Sequence, residues 1–320
     1  MVKLRAVIVG DKGPHRTEAS LARAVREIGY RSLLIDPGGW ERRIGPLAGP
    51  LMRRLVRRYS PDVVILTRYA AGLDDETLAS ITAGRAVALW FFDLVDRPDE
   101  RIVRLGRAAG VTYVTCPSQI PLYRASGVPN VLYLPQATDP AIDRPAARAP
   151  RGFRCEVSFV GSGQSRYRHE LLRLVAQASD LQIRGPGWDR QAGLPVAGGP
   201  VRGRRFAQVV RGAAISLGAH TSSGQRDERA CASNRMWKVL GCGGFYLGPR
   251  VPGIEHFARD REHCLWYDSA PDAARLVREY LAAPEARRVI AEAGRAHALG
   301  EHTYAHRMRL LVESRGYPIP

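Results

Sequence analysis

The segment Ser233-Asn234-Arg235 stands directly before an apolar run that ends in the glycine-rich residues 241–244. A small polar residue before an apolar run and a glycine after it predict a helix that Ser233 or Asn234 caps. Free N–H groups and a positive dipole end at such a helix start stabilise an anion such as a diphosphate, and Arg235 lies one step inside the first turn. An ordinary capped helix has the same spacing, so both interpretations stay open.

A second candidate anion site is the turn Gly161-Ser162-Gly163, which follows a strand-like run and precedes a helical pattern. A strand, a glycine turn and a helix start together form a geometry that cradles phosphate groups. Arg166 and Arg168 stand at the mouth of the predicted helix, where a guanidinium can contact a diphosphate through two hydrogen bonds. On its own a Gly-Ser-Gly turn is weak evidence of a ligand site, and a plain structural turn is the alternative.

Two titratable residues in the first half of the chain are candidates for acid–base chemistry. Asp93 follows the apolar run 86–92, and His15 lies in the loop after the first strand-like run. Open parallel sheets place catalytic groups at the carboxyl ends of their strands. Asp93 could deprotonate or orient an acceptor hydroxyl, and His15 could act as a base near neutral pH. The alternatives are a loop carboxylate paired with Arg97 and a surface histidine.

These candidates are embedded in an alternation of short apolar runs and helical patterns. Strands are expected at residues 4–10, 33–35, 61–67, 86–92, 111–116, 131–134, 157–160, 181–184, 214–217 and 245–247. Residues 36–39 are expected to form a turn that closes the second strand. The alternation predicts an α/β fold with doubly wound parallel sheets. The first loop has no G-x-G-x-x-G fingerprint, which argues against a nicotinamide enzyme.

Length and composition indicate a globular chain long enough for two domains, with 320 residues, 45% hydrophobic content and a formal net charge of +17. The charge favours anionic ligands or surfaces, but no aromatic-basic motif of a nucleic-acid module is present, so nucleic acid is a disfavoured partner. The helical pattern 47–58 has a basic face that could contact an anionic membrane surface. We expect a cytoplasmic protein, since no apolar run or signal peptide indicates otherwise. The cysteines and histidines show no metal-site spacing.

Five landmarks in one order make the second half of the chain resemble the nucleotide-sugar half of GT-B glycosyltransferases, most closely the spore maturation protein CgeB group. The landmarks are Ser233-Asn234-Arg235, Gly241-Cys242-Gly243, Pro252-Gly253-Ile254-Glu255, Tyr267-Asp268-Ser269 and Glu301-His302-Thr303-Tyr304. The segment 134–140 is similar to the one that precedes the interdomain linker of that group.

The resemblance implies two Rossmann-like, doubly wound domains facing a cleft. These would be an N-terminal acceptor domain at 1–140, a linker at 141–154, a C-terminal nucleotide-sugar donor domain at 155–301, and a helix with a tail at 302–320 that crosses back to the first domain. It also implies a nucleoside diphosphate sugar as the donor and substrate, with no cofactor and no metal. Cations and a helix N-terminus would stabilise the leaving diphosphate.

The resemblance extends the donor site to the loop after the strand 181–184, which would lie near the nucleotide base. Trp188 could stack on that base or serve as a packing anchor. The predicted donor-binding residues are Gly161, Ser162, Gly163, Arg166, Gly185, Trp188, His220, Ser233, Asn234, Arg235, Lys238 and Glu255.

One departure from the retaining class of these enzymes concerns two glutamates separated by seven residues. Ala230 and Lys238 stand at those positions in this chain. A lysine cannot accept hydrogen bonds from a ribose. Either Glu228 or Glu255 takes over that contact, or the ligand is more anionic, or catalysis has been lost.

The sequence therefore predicts a metal-independent GT-B glycosyltransferase with an acceptor held by its first domain. Two alternatives stay open. One is a non-catalytic polyanion or nucleic-acid binder on a degenerate scaffold, which the charge and Lys238 favour, and the other is a sugar-nucleotide epimerase of the same fold. The sugar, the base, the acceptor, the stereochemistry and the oligomeric state are left open.

Overall fold

The structure, a computed structural model, describes residues 4–163, 165–188, 193–219 and 233–317. These residues form two compact units. The first comprises residues 4–136 and 304–317, and the second is Ala137–Thr303. Each unit contains a six-stranded parallel sheet with intervening helices, which confirms the predicted α/β class with two doubly wound sheets.

The strands of the first unit are β1 (Arg5–Val9), β2 (Arg31–Ile35), β3 (Val63–Leu66), β4 (Ala86–Phe91), β5 (Val111–Val114) and β6 (Val131–Tyr133). Its helices are α1 (Thr17–Glu27), α2 (Pro37–Ile44), α3 (Ala48–Tyr59), α4 (Asp75–Thr82), α5 (Glu100–Ala108), α6 (Gln119–Ala125) and, from the end of the chain, α12 (Tyr304–Val312). The sheet order is β2-β1-β3-β4-β5-β6.

The strands of the second unit are β7 (Cys155–Val160), β8 (Leu181–Arg184), β9 (Val196–Gly198), β10 (Ala213–Leu217), β11 (Tyr246–Pro249) and β12 (Leu265–Tyr267). Its helices are α7 (Arg166–Ala178), α8 (Arg204–Gly212), α9 (Asn234–Gly241), α10 (Ala270–Leu281) and α11 (Pro284–Glu301). The sheet order is β12-β11-β10-β7-β8-β9. No helix in the described ranges has the length and apolar character that a bilayer span requires.

All ten strands predicted from the sequence are present, within two residues at each end. The predicted turn at 36–39 is wrong, because these residues start α2. Asp36 accepts a hydrogen bond from the Gly39 N–H at 2.9 Å, and Pro37 occupies the first helical position, where its missing N–H is not needed. The sequence analysis also missed β9 and β12, which are three residues long each.

Both sheets reverse their winding direction near the middle. The reversal lies between β1 and β3 in the first unit and between β7 and β10 in the second. Open parallel sheets bind ligands outside the carboxyl ends of the strands at such a switch point. The topology therefore marks one expected ligand position in each unit, beyond Val9 and Leu66 in the first and beyond Val160 and Leu217 in the second.

A fully buried arginine, Arg307, fastens α12 to the first unit. Its Nε donates to the Pro135 carbonyl at 2.9 Å, Nη1 donates to the Tyr317 hydroxyl at 2.6 Å, and Nη2 donates to the Gln136 carbonyl at 3.5 Å. The guanidinium also stacks over the Tyr317 ring at 4.9 Å. Burial lowers the pKa of Arg307. The side chain thus joins α12 to the chain segment that follows β6.

The variant Arg307→Lys should destabilise the first unit, because a lysine cannot reproduce the fork that serves two carbonyls and a hydroxyl. We expect a loss of about 2–4 kcal/mol in the free energy of unfolding, since buried acceptors lose their donors. Chemical denaturation measures it. The matched control is Arg309→Lys, an exposed position on the same helix. Equal stability of the two variants would contradict this role for Arg307.

Candidate functional site

Arg235 reaches the switch point of the second unit from the first turn of α9. Ser233 caps this helix by accepting a hydrogen bond from the Arg235 N–H at 3.3 Å. The Arg235 Nε donates to the Val160 carbonyl at the end of β7, and its guanidinium carbon lies 4.6 Å from the centre of the Phe159 ring. Its Nη1 is buried and has no hydrogen-bond partner among the described residues. Burial lowers the pKa of Arg235.

A second arginine, Arg168, approaches the same aromatic ring from α7. Its guanidinium carbon lies 5.8 Å from the Phe159 centroid. Nη1 donates to the carbonyl and the hydroxyl of Ser162, both at 2.9 Å, and Nη2 donates to the Ala219 carbonyl at 3.3 Å. Burial, and then the charge of Arg235, lower the pKa of Arg168 to about 10. Arg168 therefore stays protonated at neutral pH and ties the end of β7 to the end of β10.

The predicted ligand residue Arg166 lies away from this cluster. Its side chain is 92% exposed and pairs with Glu170 at 3.1 Å. Arg166 and Arg168 are two residues apart on α7, so their side chains point about 200° apart around the helix axis. The structure thus brings Arg168, and not Arg166, together with Arg235.

The turn at 161–163 packs closely on the loop that follows β8. The Gly161 N–H donates to the Arg184 carbonyl at 2.9 Å, and the Gly163 N–H donates to the Pro186 carbonyl at 3.0 Å. Gly185 has a φ of +150°, and a Cβ on it would overlap the Gly161 carbonyl oxygen. A Cβ on Gly161 would lie 2.5 Å from Arg235 Nη2. Both positions require glycine. Gly185 lies against the Gly161 backbone, and Gly161 lies against the Arg235 guanidinium, so neither has room for a side chain.

Trp188 is a packing anchor in this structure. Its indole N–H donates to the Gly161 carbonyl at 2.8 Å. Its ring stacks on His169, with centroids 5.1 Å apart, and meets Phe159 edge-on at 5.9 Å. His169 Nε2 in turn lies 2.8 Å from the Gly163 carbonyl. Of the two roles that the sequence allowed, this geometry favours the anchor of the glycine loop.

Two buried tyrosines that the sequence analysis did not single out also belong to the cluster. The Tyr267 hydroxyl donates to the Gly218 carbonyl at 3.0 Å. A Cβ on Gly218 would overlap the Tyr246 hydroxyl. Burial raises the pKa of both phenols, while the charge of Arg235 acts in the opposite direction. No sequence signal marks these phenols as part of the cluster, since their burial depends on packing around Gly218 and Arg235.

Glu255 lies in a separate group of charges beyond β11. Its carboxylate accepts a hydrogen bond from Arg250, which also pairs with Asp260 at 3.1 Å and with Asp268 at 3.0 Å. One guanidinium therefore holds three carboxylates. The Glu255 side chain is half-exposed and already pairs with Arg250, which limits its capacity to accept further hydrogen bonds.

Three further predicted residues complete the set. Asn234 has a buried Oδ1 without a hydrogen-bond partner in the described ranges. Lys238 is partly buried one turn after Arg235 on α9. His220 lies outside the described residues.

In the first unit, the switch point holds a buried glutamate that the sequence analysis missed. Glu18 lies in the first turn of α1 and is 3% exposed. Thr67 also lies beside Gly10, and its hydroxyl donates to the Val9 carbonyl at 2.9 Å. A Cβ on Gly10 would overlap the Glu18 Cγ. Burial raises the pKa of Glu18. No sequence signal separates such a buried glutamate from an exposed one at a helix start.

The two predicted acid–base residues lie at the same edge of the first sheet. Asp93 follows β4 and pairs with Arg68, which follows β3, at 2.6 Å. Both side chains are nearly half-exposed, at 43% and 47%. The ion-pair partner of Asp93 is therefore Arg68, and not Arg97 as in the alternative interpretation. His15 is exposed in the loop between β1 and α1.

A group of imidazoles lies elsewhere in the second unit. His263 stacks on His297 with centroids 3.9 Å apart, and His297 Nε2 lies 3.2 Å from His302 Nε2 and 2.7 Å from the Phe257 carbonyl. Glu301 joins His297 and His302 in a group whose ligand atoms lie within 4.8 Å of one another. Its carboxylate lies 3.9 Å from His297 Nδ1, so the three residues form a compact cluster within the second unit.

The two six-stranded parallel sheets, each with a ligand position at its switch point, define the GT-B class of fold. Residues 166–313 match the family model described as glycosyl transferase-like. No curated protein sequence matches the chain significantly.

Solved structures of the same fold cover nearly the whole chain. The chain is similar to sucrose-phosphate synthase of Thermosynechococcus elongatus, with 13% identity, a TM-score of 0.66, and coverage of 97% of this chain and 98% of that one. It is also similar to HepE of Anabaena in complex with UDP-glucose, with 13% identity, a TM-score of 0.66, and coverage of 97% and 99%. A protein from Listeria monocytogenes provisionally described as a UDP-N-acetylglucosamine 2-epimerase has 12% identity, a TM-score of 0.53, and coverage of 100% and 99%. The family match is thus to residues 166–313, and the likeness to these solved structures shows a shared fold.

The variant Gly185→Ala should destabilise the second unit, because the new methyl group would overlap the Gly161 carbonyl and alanine disfavours the φ of +150°. We expect a loss of about 2–5 kcal/mol in unfolding free energy from strain and overpacking. Thermal denaturation measures it. Gly199→Ala is the matched control, since nothing lies within 4 Å of its added Cβ. A Gly185→Ala protein as stable as this control would disprove the close packing.

The variant Glu18→Gln should stabilise the first unit near neutral pH. Because burial raises the folded-state pKa of Glu18, its ionisation is unfavourable in the folded protein, and the stability it contributes below its unfolded pKa is lost as the pH rises through the folded value. The melting temperature of the variant should exceed that of the parent at about pH 7, and the difference should shrink towards about pH 4. Glu27→Gln, exposed on the same helix, is the control. A difference independent of pH would refute the assignment.

Proposed function

We propose that the chain is a glycosyltransferase that moves a sugar from a nucleoside diphosphate sugar to an acceptor hydroxyl without a metal ion. The observation that carries the proposal is Arg235, a partly buried arginine at the switch point of the second unit. Its Nη1 is itself buried and has no hydrogen-bond partner in the part of the chain that the structure describes. Burying such a group is unfavourable unless an anion compensates it. A diphosphate would supply that anion.

The chemistry of the reaction makes a cation at this place useful. The bond between the anomeric carbon and the diphosphate oxygen breaks, a bond from the acceptor oxygen to the same carbon forms, and the acceptor proton passes to a base. Negative charge therefore builds up on the leaving diphosphate. Arg235 and the N-terminus of α9 would stabilise it, which is the electrostatic contribution that a metal ion makes in other transferases.

Arg168 and the glycine turn have a supporting role in this proposal. Arg168 is held by Ser162 and the Ala219 carbonyl, so it adds positive potential and fixes the loops on both sides of the switch point. Trp188 and Gly185 shape the turn from the other side. A preformed site of this kind needs little reorganisation when charge develops.

UDP is the nucleotide we propose first, because HepE, which shares the fold, is described as a complex with UDP-glucose. We also propose membership of the CgeB-like group, on the five sequence landmarks from Ser233 to Tyr304. For the acceptor we propose the carboxyl edge of the first sheet, where Glu18, Asp93 and His15 lie.

Two other functions fit part of the observations. A net charge of +17 favours a polyanion binder, but polyanions contact exposed cations, whereas Arg235 is enclosed. The Listeria monocytogenes structure favours an epimerase of the same fold, which would isomerise the donor without an acceptor. Product analysis with and without an added acceptor hydroxyl distinguishes an epimerase from a transferase.

The variant Arg235→Gln should weaken the binding of UDP by about 10- to 100-fold, because a charge-assisted hydrogen bond to the diphosphate is lost. Isothermal titration with UDP measures the change. Arg235→Lys keeps the charge and should bind UDP with intermediate affinity, which separates a lost contact from a lost fold.

Arg166→Gln is the matched control, since this arginine lies on the neighbouring helix with an exposed side chain. It should bind UDP within about twofold of the parent, because an exposed ion pair contributes little. An unchanged affinity in Arg235→Gln would remove Arg235 from the site. Steeply salt-dependent binding of an oligonucleotide with no saturable UDP site would favour the polyanion binder.

A further inference from the structure

Helices α2 and α3 of the first unit carry an apolar surface that the fold leaves uncovered. Three of the five large apolar side chains that are exposed among the described residues lie here, Ile44 at 37%, Leu47 at 62% and Leu51 at 42%. Ile44 and Leu51, together with Trp40 and Leu55, border a groove of about 480 Å³. We call the surface formed by residues 40–58 of these two helices the α2–α3 face.

The exposed apolar residues of this face form a second stripe along α3, separate from the row that α3 contributes to the core. Ala48, Met52 and Val56, at spacings of four, are buried towards the interior of the unit. Leu47, Leu51 and Leu55 repeat at the same spacing one residue earlier, which places them about 100° around the helix. The inner row is the one that α3 buries within the unit, so the outer row is available for another contact.

The α2–α3 face is also strongly cationic. Residues 37–60 contain six arginines and one acidic residue, Glu41. Of these arginines only Arg53 forms an ion pair within the described ranges, with Asp74 and Glu76. Arg43, Arg54 and Arg58 line the apolar groove itself. Their charges are thus uncompensated next to exposed leucines.

We propose that the α2–α3 face docks on a membrane surface that contains anionic phospholipids. Apolar side chains flanked by arginines suit the boundary between head groups and acyl chains, where leucine side chains insert and guanidinium groups meet phosphates. Binding to a bilayer is stable when apolar insertion and electrostatic attraction act together. The α2–α3 face offers both, and the contact requires no bilayer-spanning segment.

Two other occupants, a second copy of the chain and a nucleic acid, would each match only part of the face. A second copy of the chain bound through the same face would bring two sets of uncompensated arginines together, which is unfavourable. A nucleic acid would neutralise the arginines but leave the leucine row without an apolar partner. An anionic lipid surface satisfies both parts of the face.

Sedimentation with vesicles tests the proposal. The full chain should bind vesicles of phosphatidylcholine mixed with phosphatidylserine and should not bind phosphatidylcholine vesicles, and the binding should weaken with salt. The double variant Arg54→Gln/Arg58→Gln should bind about 25-fold more weakly, at about fivefold for each arginine near an anionic surface. Leu47→Ser/Leu51→Ser should also lose binding, because the insertion is lost.

Two matched controls keep the test specific. Arg173→Gln/Arg211→Gln removes the same charge from exposed positions of the second unit, and Val289→Ser removes an exposed apolar residue there. Both should bind the mixed vesicles within about twofold of the parent, since they lie outside the α2–α3 face. Melting temperatures confirm that each variant is folded, and UDP titration is a separate readout of the donor site.

Several results would overturn the proposal. They are absence of binding to the mixed vesicles, equal binding to both kinds of vesicle, or control variants that lose as much affinity as the α2–α3 variants. Concentration-dependent self-association that Leu47→Ser/Leu51→Ser abolishes, without vesicle binding, would instead assign the face to a second copy. Oligonucleotide binding that only the arginine variant weakens would assign it to nucleic acid.

Discussion

The enclosed guanidinium of Arg235 is the feature on which the candidate site of the second unit depends. Burying a charge without a counter-charge is unfavourable, and the surroundings compensate it only in part, through the Val160 carbonyl and the negative face of the Phe159 ring. One nitrogen remains unsatisfied in the described ranges. In the function proposed above, the donor diphosphate supplies the missing counter-charge beside Gly161.

The glycines and the second arginine follow from that constraint. Gly161 leaves room for the guanidinium, and Gly185 leaves room for the carbonyl of Gly161. Arg168 also approaches the Phe159 ring, and burial, followed by repulsion from the charge of Arg235, lowers its pKa. The site is therefore a balance between like-charge repulsion and backbone carbonyls that accept from both arginines. Such a balance is stable only when the loops are held rigidly, which is the role of Trp188.

The sequence predicted the parts of this arrangement that depend on local pattern. All ten strands predicted from apolar runs are present. The polar start of α9 correctly indicated a cap at Ser233 or Asn234, and the structure has it at Ser233. The sequence could not show which of Arg166 and Arg168 points towards Arg235, since a helical pattern does not say which of two polar faces is turned inward. The partner of Asp93 was missed because Arg68 is 25 residues away and meets it only across two neighbouring strands. Glu18 was missed because its burial depends on packing against Gly10 and Thr67, which the sequence alone does not reveal.

The two groups of arginines in this chain differ in how water and salt act on them. Arg168 and Arg235 are enclosed by ring, carbonyl and loop, so ions in solution screen their charge only weakly. The arginines of the α2–α3 face are exposed, and screening over a Debye length of about 10 Å at 0.1 M salt reduces their attraction to an anionic surface. The net charge of +17 therefore combines two groups of arginines that respond differently to salt. In the two proposals, the enclosed arginines bind a small anion and the exposed ones bind an extended anionic surface. Raising the ionic strength should weaken the surface binding more than the anion binding.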